Sequence, residues 1–231
     1  MLGATLRYCV RVITVVVATA CFIELVYRLG RPVYEWTASS RVGGFPHYAL
    51  WFAGIGAAWV LGRLVAGVPD VSRVPWWPIG PRRQLDWWVL AGAVAVSGVL
   101  HLPKIWLVLA GDLQLPRHGL ELVAGAILAP VAEEWLFRGI MWRQLAGEAS
   151  RDVPVPRLLV AVVVTSVIFS LSHLPRMFPT ELPDVQAVPL VPHAIYGAAM
   201  AAVRWRFGSI APCIAIHAVW NGLYFFTTAP Q

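Results

Sequence analysis

The chain has 231 residues, 58% hydrophobic and only 13% charged, and a mean hydropathy of +0.67. A water-soluble domain carries about 25% charged residues, so this composition excludes one and indicates an integral membrane protein. The net charge of +6 comes from 18 basic residues, of which Lys104 is the one lysine. They are scattered between apolar stretches with no nucleic-acid-binding motif, which excludes a nucleic-acid partner.

A hydrocarbon core about 30 Å thick takes about 20 apolar residues per helix. Seven stretches qualify, and the expected fold class is all-α: a polytopic transmembrane helical bundle of about seven helices. The first runs from about Leu6 to Tyr27. Its basic start and the Ala18-Thr19-Ala20 run before Cys21 give a cleaved signal as the rival reading, but the apolar run is longer than a signal core, so a retained helix is expected. The second runs from about His47 to Val68. The third runs from about Trp87 to Ala110, with Trp76, Trp77, Trp87 and Trp88 placed as an interfacial belt and Pro103 expected to kink it. The fourth, from about His118 to Leu145, carries paired glutamates. The fifth runs from Arg157 to His173 and stops before Pro175. A proline-rich loop, 174–190, follows. The sixth is short, Val191 to Trp205, and the seventh runs from Ser209 to Phe226.

With the N-terminus inside, ten arginines, Arg143, Arg204 and Arg206 among them, fall on inner segments and five on outer ones. Basic loops stay cytoplasmic, which predicts a multi-pass cell-membrane protein with a cytoplasmic N-terminus. Cys9, Cys21 and Cys213 form no disulfide framework and no metal spacing.

Three motifs in the C-terminal half carry ionisable groups into these stretches: Glu133-Glu134-x-x-x-Arg138, Phe169-x-x-x-His173 and His217-x-x-x-Asn221. Such groups are costly in lipid unless paired or solvated in a cavity. Residues four apart share a helix face, so Glu134 and Arg138 are expected to form an ion pair. Glu133 points elsewhere and is left to face a cavity as a general base. Phe169 shares the face of His173. His217 and Asn221 share another, where the pair suits either an oxyanion or an interhelical hydrogen bond. His193 and Tyr196 line the same cavity or pack against it. Taken residue by residue, the bland alternatives are a helix-binding polar network for the glutamates and an interfacial histidine for His173.

Together and in this order, the motifs resemble the CAAX prenyl protease and bacteriocin-processing family, also called the Abi family of intramembrane endopeptidases. The stretch Arg206 to Asn221 also resembles the family's last core helix and the turn before it. The resemblance covers about residues 118–226. It divides the chain into about three unassigned helices in 1–112 and a catalytic membrane core in 113–231. It implies hydrolysis near the C-terminus of a membrane-associated protein or peptide that carries a C-terminal processing signal. It further implies Glu133 as the base that activates water, His173 assisting, His217 and Asn221 stabilising the oxyanion, and Glu134, Arg138 and Phe169 in support. Glu133, His173 and His217 also make a two-histidine, one-carboxylate set for a divalent metal such as zinc. A metal-free glutamate mechanism needs the same residues, so both stay open. The rival functions are a non-catalytic bacteriocin-immunity or scaffold protein on the same bundle and, ranked last, an ion-coupled transporter, for which no repeated halves are seen.

Overall fold

The structure is a computed structural model, and it describes residues 2–37, 49, 52–53, 84–110, 123–147, 153–173 and 190–226. Among the described residues every regular element is helical. Helix α1 is Leu2–Thr37 and α2 is Gln84–Leu109. Helix α3 is a compound helix over 123–146. Helices α4, α5 and α6 are Val155–Ser172, Leu190–Phe207 and Ala211–Phe226. The expected second helix, about 47–68, falls outside the described residues except at 49, 52 and 53, and so does the expected loop at 174–189.

Three segments are long and apolar enough to cross a membrane: Thr5–Gly30, Gln84–Leu102 and Val155–Ser172. Of about seven expected spans, six helices fall among the described residues, and three of these meet that criterion. The others fall short for physical reasons. Helix α6 has 16 residues, or about 24 Å at 1.5 Å per residue. Helix α5 carries Arg204 and Arg206 in its last turn. Helix α3 is interrupted.

The interruptions of α3 are local. It opens with a π-helical turn, Ala124–Leu128, continues as α-helix through Ala129–Glu134, widens again at Trp135–Met141, and closes as α-helix at Trp142–Ala146. Pro130 accounts for the first widening. A proline ring clashes with the carbonyl four residues back and has no N–H to donate, and the helix responds by letting Ala129 N–H bond to Ala124 O instead. Gly147 ends the helix at φ 92°, a left-handed conformation that glycine adopts without penalty, and its N–H donates to Arg143 O.

The bundle buries its charged groups within an apolar core and turns apolar side chains outward. Val155, Leu159, Val163 and Val167 form an exposed stripe along α4, and Leu6, Val10, Ile13 and Val17 do the same on α1. Asp86, Glu134, Arg138, Arg204 and Arg206 are buried. Buried charges with outward valines and leucines suit lipid surroundings, where ionisable groups face the bundle interior. Arg143, Arg204 and Arg206, assigned to loops in the orientation count, are corrected to interior residues.

Small residues let the helices approach. A Cβ on Gly197 of α5 would lie 2.9 Å from Ser166 Cα on α4, and one on Gly98 of α2 would lie 2.9 Å from the Trp220 ring on α6. This is the small-residue packing that substitutes for a hydrophobic drive within lipid. Directional ties add to it. Ser170 Oγ donates to Leu190 O across α4 and α5, and Arg204 Nε donates to Arg138 O across α5 and α3. Arg206 of α5 is bound to Asp86 in the first turn of α2, with Nε 2.8 Å from Oδ1. Helix α1 docks through Tyr8, whose hydroxyl donates to Leu145 O and whose ring lies under Arg157.

Candidate active site

Glu133 and Glu134 close the α-helical stretch of α3. As neighbours they diverge by about 100° around the axis, and their surroundings differ accordingly. Glu134 is fully buried, and its Oε1 accepts from Arg138 Nη1 at 3.3 Å and from His217 Nδ1 at 2.9 Å. Arg138 also donates from Nη2 to Gly197 O at 3.1 Å, and its guanidinium lies 4.6 Å from the centre of the Phe169 ring. One carboxylate thus joins α3 to α6, while its arginine joins α3 to α5 and rests on α4. Phe169 is the aromatic floor of this pair, and its ring also lies 4.6 Å from that of His173.

The Glu133 side chain keeps 21% exposure. Its Oε2 lies 3.8 Å from His173 Nε2 and 3.9 Å from His217 Nε2. His173 follows the last residue of α4, and its Nδ1 lies 2.8 Å from Phe169 O. A carbonyl only accepts, so Nδ1 carries the proton, and in the neutral ring Nε2 presents a lone pair. His217 Nδ1 faces the carboxylate of Glu134, already paired with Arg138, and the same tautomer follows. Two imidazole lone pairs therefore face one oxygen of Glu133. Separations of 3.8–3.9 Å exceed a hydrogen bond and suit a bridging water.

The position of His173 bears on the depth of this cluster within the bundle. Mid-helix positions for Glu133 and His217 and an end position for His173 are reconciled if the fifth helix starts late, if it tilts, or if the cluster lies towards one end. Helix α4 begins at Val155, earlier than the expected Arg157, which removes the late start. The first turns of α5 supply the neighbours at that end. The His193 ring stacks on His173 at 4.3 Å, and the Tyr196 ring meets His217 edge-on at 5.2 Å.

Asn221 lies one turn after His217 but is engaged elsewhere. Its Nδ2 donates to Gly125 O at 3.1 Å. In the π register of that turn, the donor due to Gly125 is residue 130, and Pro130 has none. Asn221 makes up the missing bond, so one of its two amide hydrogens is committed to the fold of α3. Cys213, a further turn back, donates to Met200 O, so no thiol–imidazole pair forms with His217.

A second layer comes from α2. His101 stacks on Trp220 at 6.0 Å and meets Tyr196 edge-on at 5.8 Å, with its Nδ1 on Ser97 O. This layer and the Asp86–Arg206 link have no sequence signature, because the partners lie 120 residues apart for the ion pair and the contacts are not periodic.

Residues 116–223 match the family model described as type II CAAX prenyl endopeptidase Rce1-like. That stretch is Rce1-like. The match supports the resemblance carried by the three motifs, all of which fall inside it. No curated protein and no solved structure matches the chain. The Rce1-like region contains α3 to α5 and most of α6, while α1 and α2 precede it.

The donor chemistry of Glu133, His173 and His217 suits zinc in one respect: each histidine donates Nδ1–H to an oxygen acceptor and turns Nε2 inward, as metal-binding histidines do. The geometry does not follow. Among the described residues no group of three or more His, Cys, Asp or Glu converges closely enough to hold a metal ion. The residues as arranged do not form a metal shell, and no step below is routed through one.

Proposed function

We propose that the protein is an intramembrane endopeptidase that hydrolyses a peptide bond near the C-terminus of a membrane-associated protein or peptide, with water activated by Glu133. The observation that carries this reading is the gap between Glu133 Oε2 and the two imidazole nitrogens, 3.8 and 3.9 Å wide, inside an Rce1-like region. A helix-binding network would close such a gap, because a buried carboxylate oxygen without a hydrogen bond is costly. Glu134 Oε1 is held by Arg138 and His217, whereas Glu133 Oε2 faces two imidazole nitrogens beyond hydrogen-bond reach. Glu134 Oε2 and Arg138 Nε share with Glu133 Oε2 the lack of a hydrogen-bond partner among the described residues.

In the reaction, a water oxygen attacks the scissile carbonyl carbon while Glu133 takes its proton. The carbonyl π pair moves onto oxygen. Collapse of the tetrahedral intermediate breaks the C–N bond, and the proton held by Glu133 passes to the leaving amine, with His173 Nε2 as the adjacent relay. This is general acid–base catalysis by a carboxylate. His217 is oriented by Glu134 and contributes to the oxyanion through Nε2 when doubly protonated. Asn221 contributes its second N–H. Arg138 holds Glu134 in place, and Phe169 keeps Arg138 and His173 in register. A C-terminal tail bearing a prenyl group is the substrate class that the family match supports, and the exposed apolar stripes suit a multi-pass protein in which such a lipidated tail arrives from the bilayer.

The test is a comparison of cells carrying wild type or Glu133→Gln at equal expression, with C-terminal peptides mapped in membrane and released fractions. An uncut precursor present only with the variant is the expected result, and it identifies the substrate. Identical C-termini in both would replace this reading with a non-catalytic immunity or scaffold role.

A further inference from the structure

The cluster is rich in acceptors and poor in donors. Glu133 Oε2, Glu134 Oε2, His173 Nε2 and the neutral form of His217 Nε2 all offer lone pairs. Of the groups assigned to the oxyanion, Asn221 has one hydrogen engaged on Gly125 O, and His217 has its only neutral-state hydrogen on Glu134. A tetrahedral intermediate needs hydrogen-bond donors that are in place before charge develops.

Two donors in the neighbourhood have no hydrogen-bond partner among the described residues: Arg138 Nε, whose guanidinium is already held by Glu134 and Gly197 O, and the hydroxyl of Tyr196. Tyr196 is buried, and its hydroxyl has no hydrogen-bond partner among the described residues. A buried tyrosine hydroxyl normally finds one. Its ring sits among those of His217, Phe169 and His101, at 5.2, 5.6 and 5.8 Å. The backbone beneath it is held firmly: the next residue, Gly197, is pressed against Ser166 and accepts Arg138 Nη2. The chain thus fixes a tyrosine beside the catalytic imidazole and leaves its O–H unspent.

We infer that Tyr196 is a further catalytic residue, its hydroxyl donating a hydrogen bond to the oxyanion that forms on the scissile carbonyl. The inference rests on the endopeptidase reading. Tyr196 keeps its proton throughout: it stabilises the negative oxygen and forms no covalent bond. In the resting enzyme, with no substrate carbonyl to meet, the same hydroxyl has nothing to donate to, which explains why it is unsatisfied.

The experiment compares wild type, Tyr196→Phe and Glu133→Gln as full-length proteins purified in detergent. Each is assayed on a synthetic peptide carrying the C-terminal sequence that precursor mapping reveals, and each is melted in parallel. Loss of one oxyanion donor typically lowers kcat about 100- to 1,000-fold. Tyr196→Phe is expected to lose kcat in that range with KM within about twofold and the melting temperature unchanged or higher, since a buried hydroxyl without a partner is removed. Full kcat in Tyr196→Phe with Glu133→Gln inactive overturns the Tyr196 role and leaves the endopeptidase reading standing. A lower melting temperature with kcat intact gives Tyr196 a structural role and also overturns it. Full activity in Glu133→Gln overturns Glu133 as the base, whereas no cleavage by wild type overturns the endopeptidase reading, and the Tyr196 role falls with it.

Discussion

Helix α4 and helix α3 lie in the same bundle and follow opposite rules. Helix α4 is continuous, apolar along an outward stripe, and polar where it meets its neighbours, Ser166 and Ser170 at α5 and Arg157 at α1. Helix α3 is broken twice by π-helical turns and carries the buried pair of Glu134, just before the second turn, and Arg138, within it. The first is a lipid-facing wall. The second is shielded by its neighbours and is free to sacrifice regular hydrogen bonding for the placement of side chains, a use to which π-bulges are often put. Membrane helices that carry chemistry therefore look least like membrane helices, because irregular backbone at that depth is tolerated only inside protein or along a cavity.

Substitutions that separate wall from site should have effects of very different size. Glu133→Gln should have the largest, a fall in cleavage of about 100- to 10,000-fold, the span typical of a general base, with an unchanged melting temperature because Glu133 Oε2 makes no hydrogen bond. Rate and melting measured on one preparation decide between a catalytic and a structural glutamate. Arg138→Met should instead cost stability, about 3–5 kcal/mol, since it leaves the buried Glu134 carboxylate without its arginine. Denaturant titration in mixed micelles reads that loss, and a variant as stable as wild type would show the pair to be dispensable. Gly197→Ala should cost about 1–3 kcal/mol by overpacking against Ser166 Cα, visible as an earlier melting transition. Val163→Leu on the outward stripe of α4 should stay within about 0.5 kcal/mol. A large effect there would mean that the stripe meets protein and not lipid.

The pattern of what the sequence revealed follows the range of the interactions. The helix carrying Phe169 and His173 was legible almost to the residue, because Pro154 and Pro156 favour its start and the run between them and Pro175 is apolar throughout. The i, i+4 placement of Glu134 and Arg138 was legible for the same local reason. The second partner of Glu134 was not, since His217 lies 83 residues away and nothing on one helix states which face another presents. Nor was the engagement of Asn221, which depends on a hydrogen bond that Pro130 cannot make. Arg204 and Arg206 lie in the last turn of an apolar run, where a basic residue reads as a cytoplasmic flank; that Asp86 meets Arg206 within the bundle was not legible.

That meeting of Asp86 with Arg206 bears on how the molecule can be divided. The Rce1-like match begins at residue 116, and a gene fragment cut there would seem a natural minimal enzyme. It would lack the carboxylate to which Arg206 is bound, the Gly98 surface that receives Trp220, and the imidazole stacked over that indole. The boundary of sequence similarity is therefore not a boundary of folding. The match is confined to 116–223, while Asp86, Gly98 and His101 of α2 pack against Arg206 and Trp220 within it, so a fragment cut at 116 is expected to be less stable than the full chain.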